Sequence, residues 1–220
     1  MPFGESQAKV YVTIFEGMLA VRSSESDSKA VKRELKTGHI IYERRYKSLT
    51  GRIKEIFFRT NDYNGKKWEE LAILIYDGQD HYQLSMPFPG KYSLSFLRAI
   101  KNADLSKDIQ FNPWTKTVND KVKAALYMNQ GNAKESIPWY FTMETPNGLP
   151  ELVPYTVPGS EETKWSDVER NKFLKAMVEK ELVPQLAAIW HSGAMPAAAT
   201  MPPEVMDADG INEPGDDLPF

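Results

Sequence analysis

Nine basic residues stand between Lys29 and Lys54, namely Lys29, Lys32, Arg33, Lys36, Arg44, Arg45, Lys47, Arg52 and Lys54, against only Glu34 and Glu43. Tyr42 and Tyr46 are interleaved with them. In an extended strand, Tyr42, Arg44 and Tyr46 project from one face and Arg45 and Lys47 from the other. Rings stack on bases of any identity and cations neutralise phosphates, so the alternation suits a single nucleic-acid strand. It suits equally an edge strand whose charged face guards against aggregation. Arg59, the run Lys66-Lys67-Trp68, and Trp114 with Lys116 extend the candidate set. Each tryptophan has core packing as its alternative role. Trp114 follows Pro113 in a polar stretch and is expected to be exposed.

Catalytic patterns are missing from the sequence. His39, His81 and His191 are far apart and in no metal-ligand spacing. The phosphate-cradling glycine motifs and the nucleophile elbow are absent, and the carboxylates form no recognisable pair. With no cysteine, disulfides, thiolate metal sites and a cysteine nucleophile are excluded. The expectation is a protein that is not an enzyme and holds no metal or cofactor.

Charge is divided along the chain. None of the 27 Lys and Arg residues follows Lys180, whereas seven of the 30 acids do, leaving a mildly basic body of 27 cations and 23 acids. From Ser192 onward the composition turns to Ala, Pro, Met, Gly and acid, too poor in apolar residues to offset the entropy of ordering. Residues 192–220 are therefore expected to form a disordered acidic tail. It closes on Asp216-Asp217-Leu218-Pro219-Phe220, where a ring and a carboxylate among aspartates suit an apolar pocket with a basic rim.

The elements that must position these residues are mostly strands. Val10–Phe15 is rich in β-branched and aromatic residues, and Met18–Val21 continues past Gly17, which marks a bulge or a close backbone approach. Strands follow at His39–Tyr46, Arg52–Thr60, Trp68–Tyr76 and His81–Met86, with Asn64-Gly65 and Asp77-Gly78 as hairpin turns. A helix spans Ser93–Asn102 on Leu94, Leu97 and Ile100. Strand-like segments resume at Ile109–Phe111, Val122–Met128 and Trp139–Met143, before a proline-rich loop over Pro146–Pro158. A second helix, 166–191, opens on a Ser166/Glu169 capping box, and Pro184 is expected to kink it. Its stripe, Phe173 to Ile189, serves packing on the body or a homodimer interface.

This order predicts a mainly β fold with α additions: an OB-fold-like antiparallel barrel with an extra N-terminal hairpin. Its five strands would begin at Leu49, and its helix would lie between the third and fourth. Residues 1–191 would form that body. OB-folds bind oligonucleotides and oligosaccharides. With no leader-like or membrane-length apolar run, a soluble, cytoplasmic location is expected.

The tip Asp216–Phe220, together with the layout of body, linker and acidic end, resembles the bacterial and phage single-stranded-DNA-binding proteins. The resemblance implies an OB-fold body that coats single-stranded DNA and a tip that recruits replication, recombination or repair proteins. The long body and short Ala/Pro/Met-rich linker suit a divergent, phage-encoded version. Under this reading Tyr42, Tyr46 and Trp114 stack on bases, and Arg44, Arg45, Lys47, Arg52 and Lys54 hold the backbone. The alternative is a non-catalytic interaction adaptor that uses the tail and binds no nucleic acid.

Overall fold

The computed structural model describes residues 9–35, 37–131, 135–159 and 162–192. Residues 193–220 of the expected tail, with its tip, lie outside the described residues, as does Lys36. The fold is mainly β. Its strands are β1 (Lys9–Phe15), β2 (Met18–Ser23), β3 (Val31–Glu34), β4 (Ile40–Tyr46), β5 (Leu49–Tyr63), β6 (Lys66–Tyr76), β7 (His81–Phe88), β8 (Ile109–Val118) and β9 (Lys121–Gln130). A separate hairpin pairs β10 (Val153–Thr156) with β11 (Thr163–Ser166). Helix α1 (Lys91–Ala99) follows β7, and α2 (Val168–Met177) and α3 (Val183–His191) close the described chain. No helix among the described residues is long and apolar enough to cross a membrane.

Nine strands form one sheet in the order β3-β4-β2-β1-β7-β6-β5-β8-β9. All its pairings are antiparallel except that of β1 with β7, which makes the sheet mixed where a purely antiparallel one was expected. The sheet is not closed by hydrogen bonds, yet it must curl. Only Lys47 and Ser48 join β4 to β5, a reach of about 11 Å at 3.8 Å per residue. Four strands separate β4 from β5 in the sheet, a span of about 24 Å if it were flat. The curl also carries Gly17 against β8: a Cβ built there would lie 2.8 Å from Thr115 Cγ2. Glu16 and Gly17 make the tight β1–β2 turn, both with positive φ, so the glycine marks a hairpin and a close approach together.

Strand β5 bends as it changes partners. Leu49–Gly51 pair with β8, whereas Arg52–Tyr63 pair with β6, and the register shifts between Ile53 and Glu55. Gly51 permits the crossing, since a Cβ there would sit 2.8 Å from the Tyr76 carbonyl oxygen. The run Leu71–Ile75 is buried throughout. One side of it joins the core with Ile53, Ile56, Leu84, Met86, Phe96 and Phe111.

The C-terminal helical stripe packs on this core through Leu174, Met177, Val178, Leu182 and Leu186. Ahead of Pro184 the helix widens into a π-helical turn, Val178–Leu182, which absorbs the backbone position that the proline cannot bond. Two sequence expectations are corrected. Trp139–Met143 forms bends instead of a strand, held to α1 because the Tyr140 and Phe141 amides both donate to the Arg98 carbonyl. The capping box does not form: Asp167 is the N-cap, without a side-chain cap bond, and Ser166 Oγ accepts from the Val168 amide at 3.4 Å.

Candidate nucleic-acid interface

Residues directly opposite in a ladder share a face, and alternate residues along a strand return to it. Tyr11 opposes Gln83, Phe57 opposes Ala72, Arg59 opposes Glu70, and Asn61 opposes Trp68. Alternation along β6 and β7 then places Tyr11, Phe57, Arg59 and Trp68 on one face of the sheet, opposite the face that holds Ile56, Ile73 and Leu84. Tyr11 is 59% and Trp68 40% exposed, and Phe57 is half-buried on β5, the strand beyond that of Trp68. This face has rings standing out over a floor of Ala72, Leu74, Gln83 and Ser85.

Arg59 is oriented by its neighbours. Its Nε and Nη2 donate to Glu70 Oε2 at 2.9 and 2.7 Å, while Trp68 Nε1 donates to Glu70 Oε1 at 3.1 Å. Burial pushes the Glu70 carboxyl up, but the bonds from Arg59 and Trp68 outweigh it and hold the pKa below the usual value. Glu70 therefore locks ring and guanidinium side by side. Beyond β7, whose pairing with β6 ends at Phe88 opposite Glu69, the β5–β6 hairpin runs on as a two-stranded ribbon. Its tip carries exposed Tyr63, Lys66 and Lys67.

The β4 candidates divide. Tyr42, Arg44 and Tyr46 lie on the opposite face from Arg59 and Trp68, as the register of β2 against β4 and β1 requires. There Tyr42 donates its hydroxyl to Glu25 Oε1 at 2.6 Å, and Arg44 pairs with Asp27. Tyr46 is 37% exposed. Arg45 lies on the Tyr11 face but is engaged by buried Glu43 at 3.3 Å and by Glu16 at 3.5 Å. Arg52 meets Asp108 at 3.3 Å. Lys54 occupies the register shift in β5, its ammonium 5.7 Å from the Trp190 ring centroid, and Lys47 sits in the β4–β5 link.

On β8, Trp114 is half-buried, not exposed as its loop-like sequence suggested, because Trp114 lies inside a strand and packs edge-on against Tyr127 at 6.3 Å. Lys116 is two residues further along the same face, opposite Lys123. The structure thus brings together Arg59, Lys66 and Trp68 on one face, with Lys67 on the other face of the same ribbon, places Trp114 and Lys116 on the neighbouring hairpin, and separates the Tyr42–Tyr46 group from both. Tyr11 and Phe57 were missed by sequence reasoning. Their signal was the period-two alternation of Val10–Phe15 and Ile56–Arg59, but their shared face depends on the β1–β7 pairing, which joins segments about 70 residues apart. Comparisons with protein-family models, with curated proteins and with solved structures return no match to this chain.

Proposed function

We propose that this protein binds single-stranded DNA, without strong sequence preference, across the face that carries Tyr11, Phe57, Arg59 and Trp68. The observation that carries this reading is a row of exposed or half-exposed rings, with a cation fixed among them, on the solvent face of a curled sheet. Bases stack on such rings whatever their identity, and Arg59, Lys66 and Lys67 meet the backbone. The strand pairing supports an OB-like body. Strand β5 pairs with β6 and β8, β6 with β7, and β8 with β9, with α1 between β7 and β8. In such a partly open barrel the face of the second and third strands and the loops between strands one and two, and four and five, contact oligonucleotides. Here these are β6 and β7, the Tyr63–Lys67 ribbon and the turn after Val118. In this reading β1 takes the free edge of β7. The tip Asp216–Phe220 recruits replication, recombination or repair proteins and takes no part in stacking.

The test is fluorescence anisotropy of a labelled single-stranded 30-mer titrated with the full chain at several salt concentrations. Trp68→Ala is expected to weaken binding by about 5- to 150-fold, from a stacking contribution of about 1–3 kcal/mol per base. Lys66→Ala with Lys67→Ala should lower the slope of log affinity against log salt by about 1.4. No binding at low salt would refute the reading and leave the adaptor role.

A further inference from the structure

Away from the Tyr11–Trp68 face, α1, α2, β9 and the Trp139 loop line a half-open cavity of about 420 Å³. Lys91, Leu94 and Arg98 line it from one face of α1, and Arg170 and Leu174 from one face of α2. Lys123 and Ala125 contribute from β9, and the indoles of Trp139 and Trp165 stand at its wall. Four cations thus meet a single lining carboxylate, Asp167.

The two arginines differ from five of the others in lacking a carboxylate partner, and from Arg22, which is exposed and makes no ion pair among the described residues, in being half-buried. Arg33, Arg44, Arg45, Arg52 and Arg59 each meet a carboxylate. Arg98 and Arg170 are half-buried and make no ion pair among the described residues. Burial and the facing charge of Arg170 both push the Arg98 pKa down from its ordinary value. A guanidinium does not shed its proton in proteins, so this strain is an uncompensated positive charge that an anion would relieve. The heads are also aimed: the Arg98 guanidinium lies 5.7 Å from the Trp139 centroid, and Arg170 Nε donates to the Pro150 carbonyl at 2.7 Å. The adjoining start of α2 adds the positive end of a helix.

We propose that this cavity is a nucleotide site in which Arg98 and Arg170 hold the phosphate while Trp139 and Trp165 flank the base. Leu94, Leu149, Leu152 and Leu174 give the base an apolar bed. The volume is in the range of about 300–1,000 Å³ usual for small-molecule sites. The site does not depend on the strand-binding reading, because it is built from different elements.

The test is isothermal titration of the full chain with 5′-dAMP, deoxyadenosine and inorganic phosphate. Saturable binding of 5′-dAMP is expected, tighter by about tenfold than either part alone, and weakened by about tenfold in Arg98→Gln and in Arg170→Gln. Arg170 is near the surface, so its variant tests the site if Arg98→Gln fails to fold. Absence of 5′-dAMP binding, equal binding of phosphate alone, or unchanged binding in both variants would overturn the proposal. Competition with the 30-mer then identifies the source. Displacement supports the proposal with a nucleotide of a bound strand, and simultaneous binding supports it with a free nucleotide. Lys66→Ala with Lys67→Ala leaves 5′-dAMP binding intact, so failure of one site is distinguishable from failure of the other.

Discussion

Glu43→Gln is predicted to destabilise the fold by about 2–3 kcal/mol. Glu43 is 1% exposed and receives Arg33 Nε and Nη2 at 3.0 and 2.7 Å and Arg45 Nε at 3.3 Å. Both guanidiniums also lie on the Phe15 ring, at 4.0 and 5.1 Å from its centroid. One carboxylate therefore pairs with two cations that share a ring, Glu16 supplying a second acid to Arg45. Removing one partner of a buried ion pair costs about 3–5 kcal/mol. Each arginine side chain keeps 20% exposure, and glutamine retains one acceptor, which lowers the expected loss below that range. The matched control is Glu16→Gln, which removes the other partner of Arg45. Glu16 is 67% exposed, so its pair is worth about 0–1 kcal/mol.

Urea denaturation of the two variants and the parent would measure this directly, with the m-value expected to stay constant. In thermal melts Glu43→Gln should lose roughly 5–10 °C, at about 2–4 °C per kcal/mol for a chain of this size. A loss no larger than that of Glu16→Gln would refute the reasoning, because it would mean that Glu43 does not tie β3 and β4 to the sheet.

Gly17→Ala should cost at least twice as much as Gly65→Ala in urea melts. Both glycines have positive φ, but only Gly17 would press a Cβ into Thr115; the φ penalty alone is about 1–2 kcal/mol. His81 is held below its ordinary pKa by burial and then by Lys54 and Lys9. The unfolded chain thus binds more protons just below pH ~6.5, so this contribution is full above that pH and is lost as pH falls through the folded value. Denaturation midpoints at pH 7.5 and 5.5 should consequently lie closer together in His81→Gln than in the parent. Trp190→Phe removes the 2.9 Å bond from Nε1 to the Ile53 carbonyl beside the β5 register shift. It should cost about 1–3 kcal/mol by leaving that carbonyl unmet, read as a lower urea midpoint.

Much of the architecture was legible along the chain because its signals are local. Asn64-Gly65 placed the β5–β6 turn, the Leu71–Ile75 run marked a buried strand, and the Phe173–Ile189 stripe marked a helix that packs on the body. Pro184 located the disturbance in that helix. Local pattern failed at Trp139–Met143, where aromatic content reads as strand but the backbone amides bond to α1. It also missed β3, whose four residues are mostly charged, and the β10–β11 hairpin, whose first strand lies within the segment expected as a proline-rich loop.

The candidate interface was legible in residue type and not in arrangement. Composition and period marked Arg59, Lys66, Lys67 and Trp68 as cations beside rings, and alternation put Tyr42, Arg44 and Tyr46 on one face. Which face that was, and which cations already had acids, depended on register between strands distant in sequence. Tyr11 shares a face with Phe57 and Trp68 only because β1 pairs in parallel with β7, and Arg98 and Arg170 line one pocket only because the fold brings α1 and α2 to it. Side-chain chemistry and local periodicity are written in neighbouring residues, so the sequence alone determined them. Proximity across the sheet and the balance of charge at each cation come from long-range packing, and the tertiary structure alone decided those.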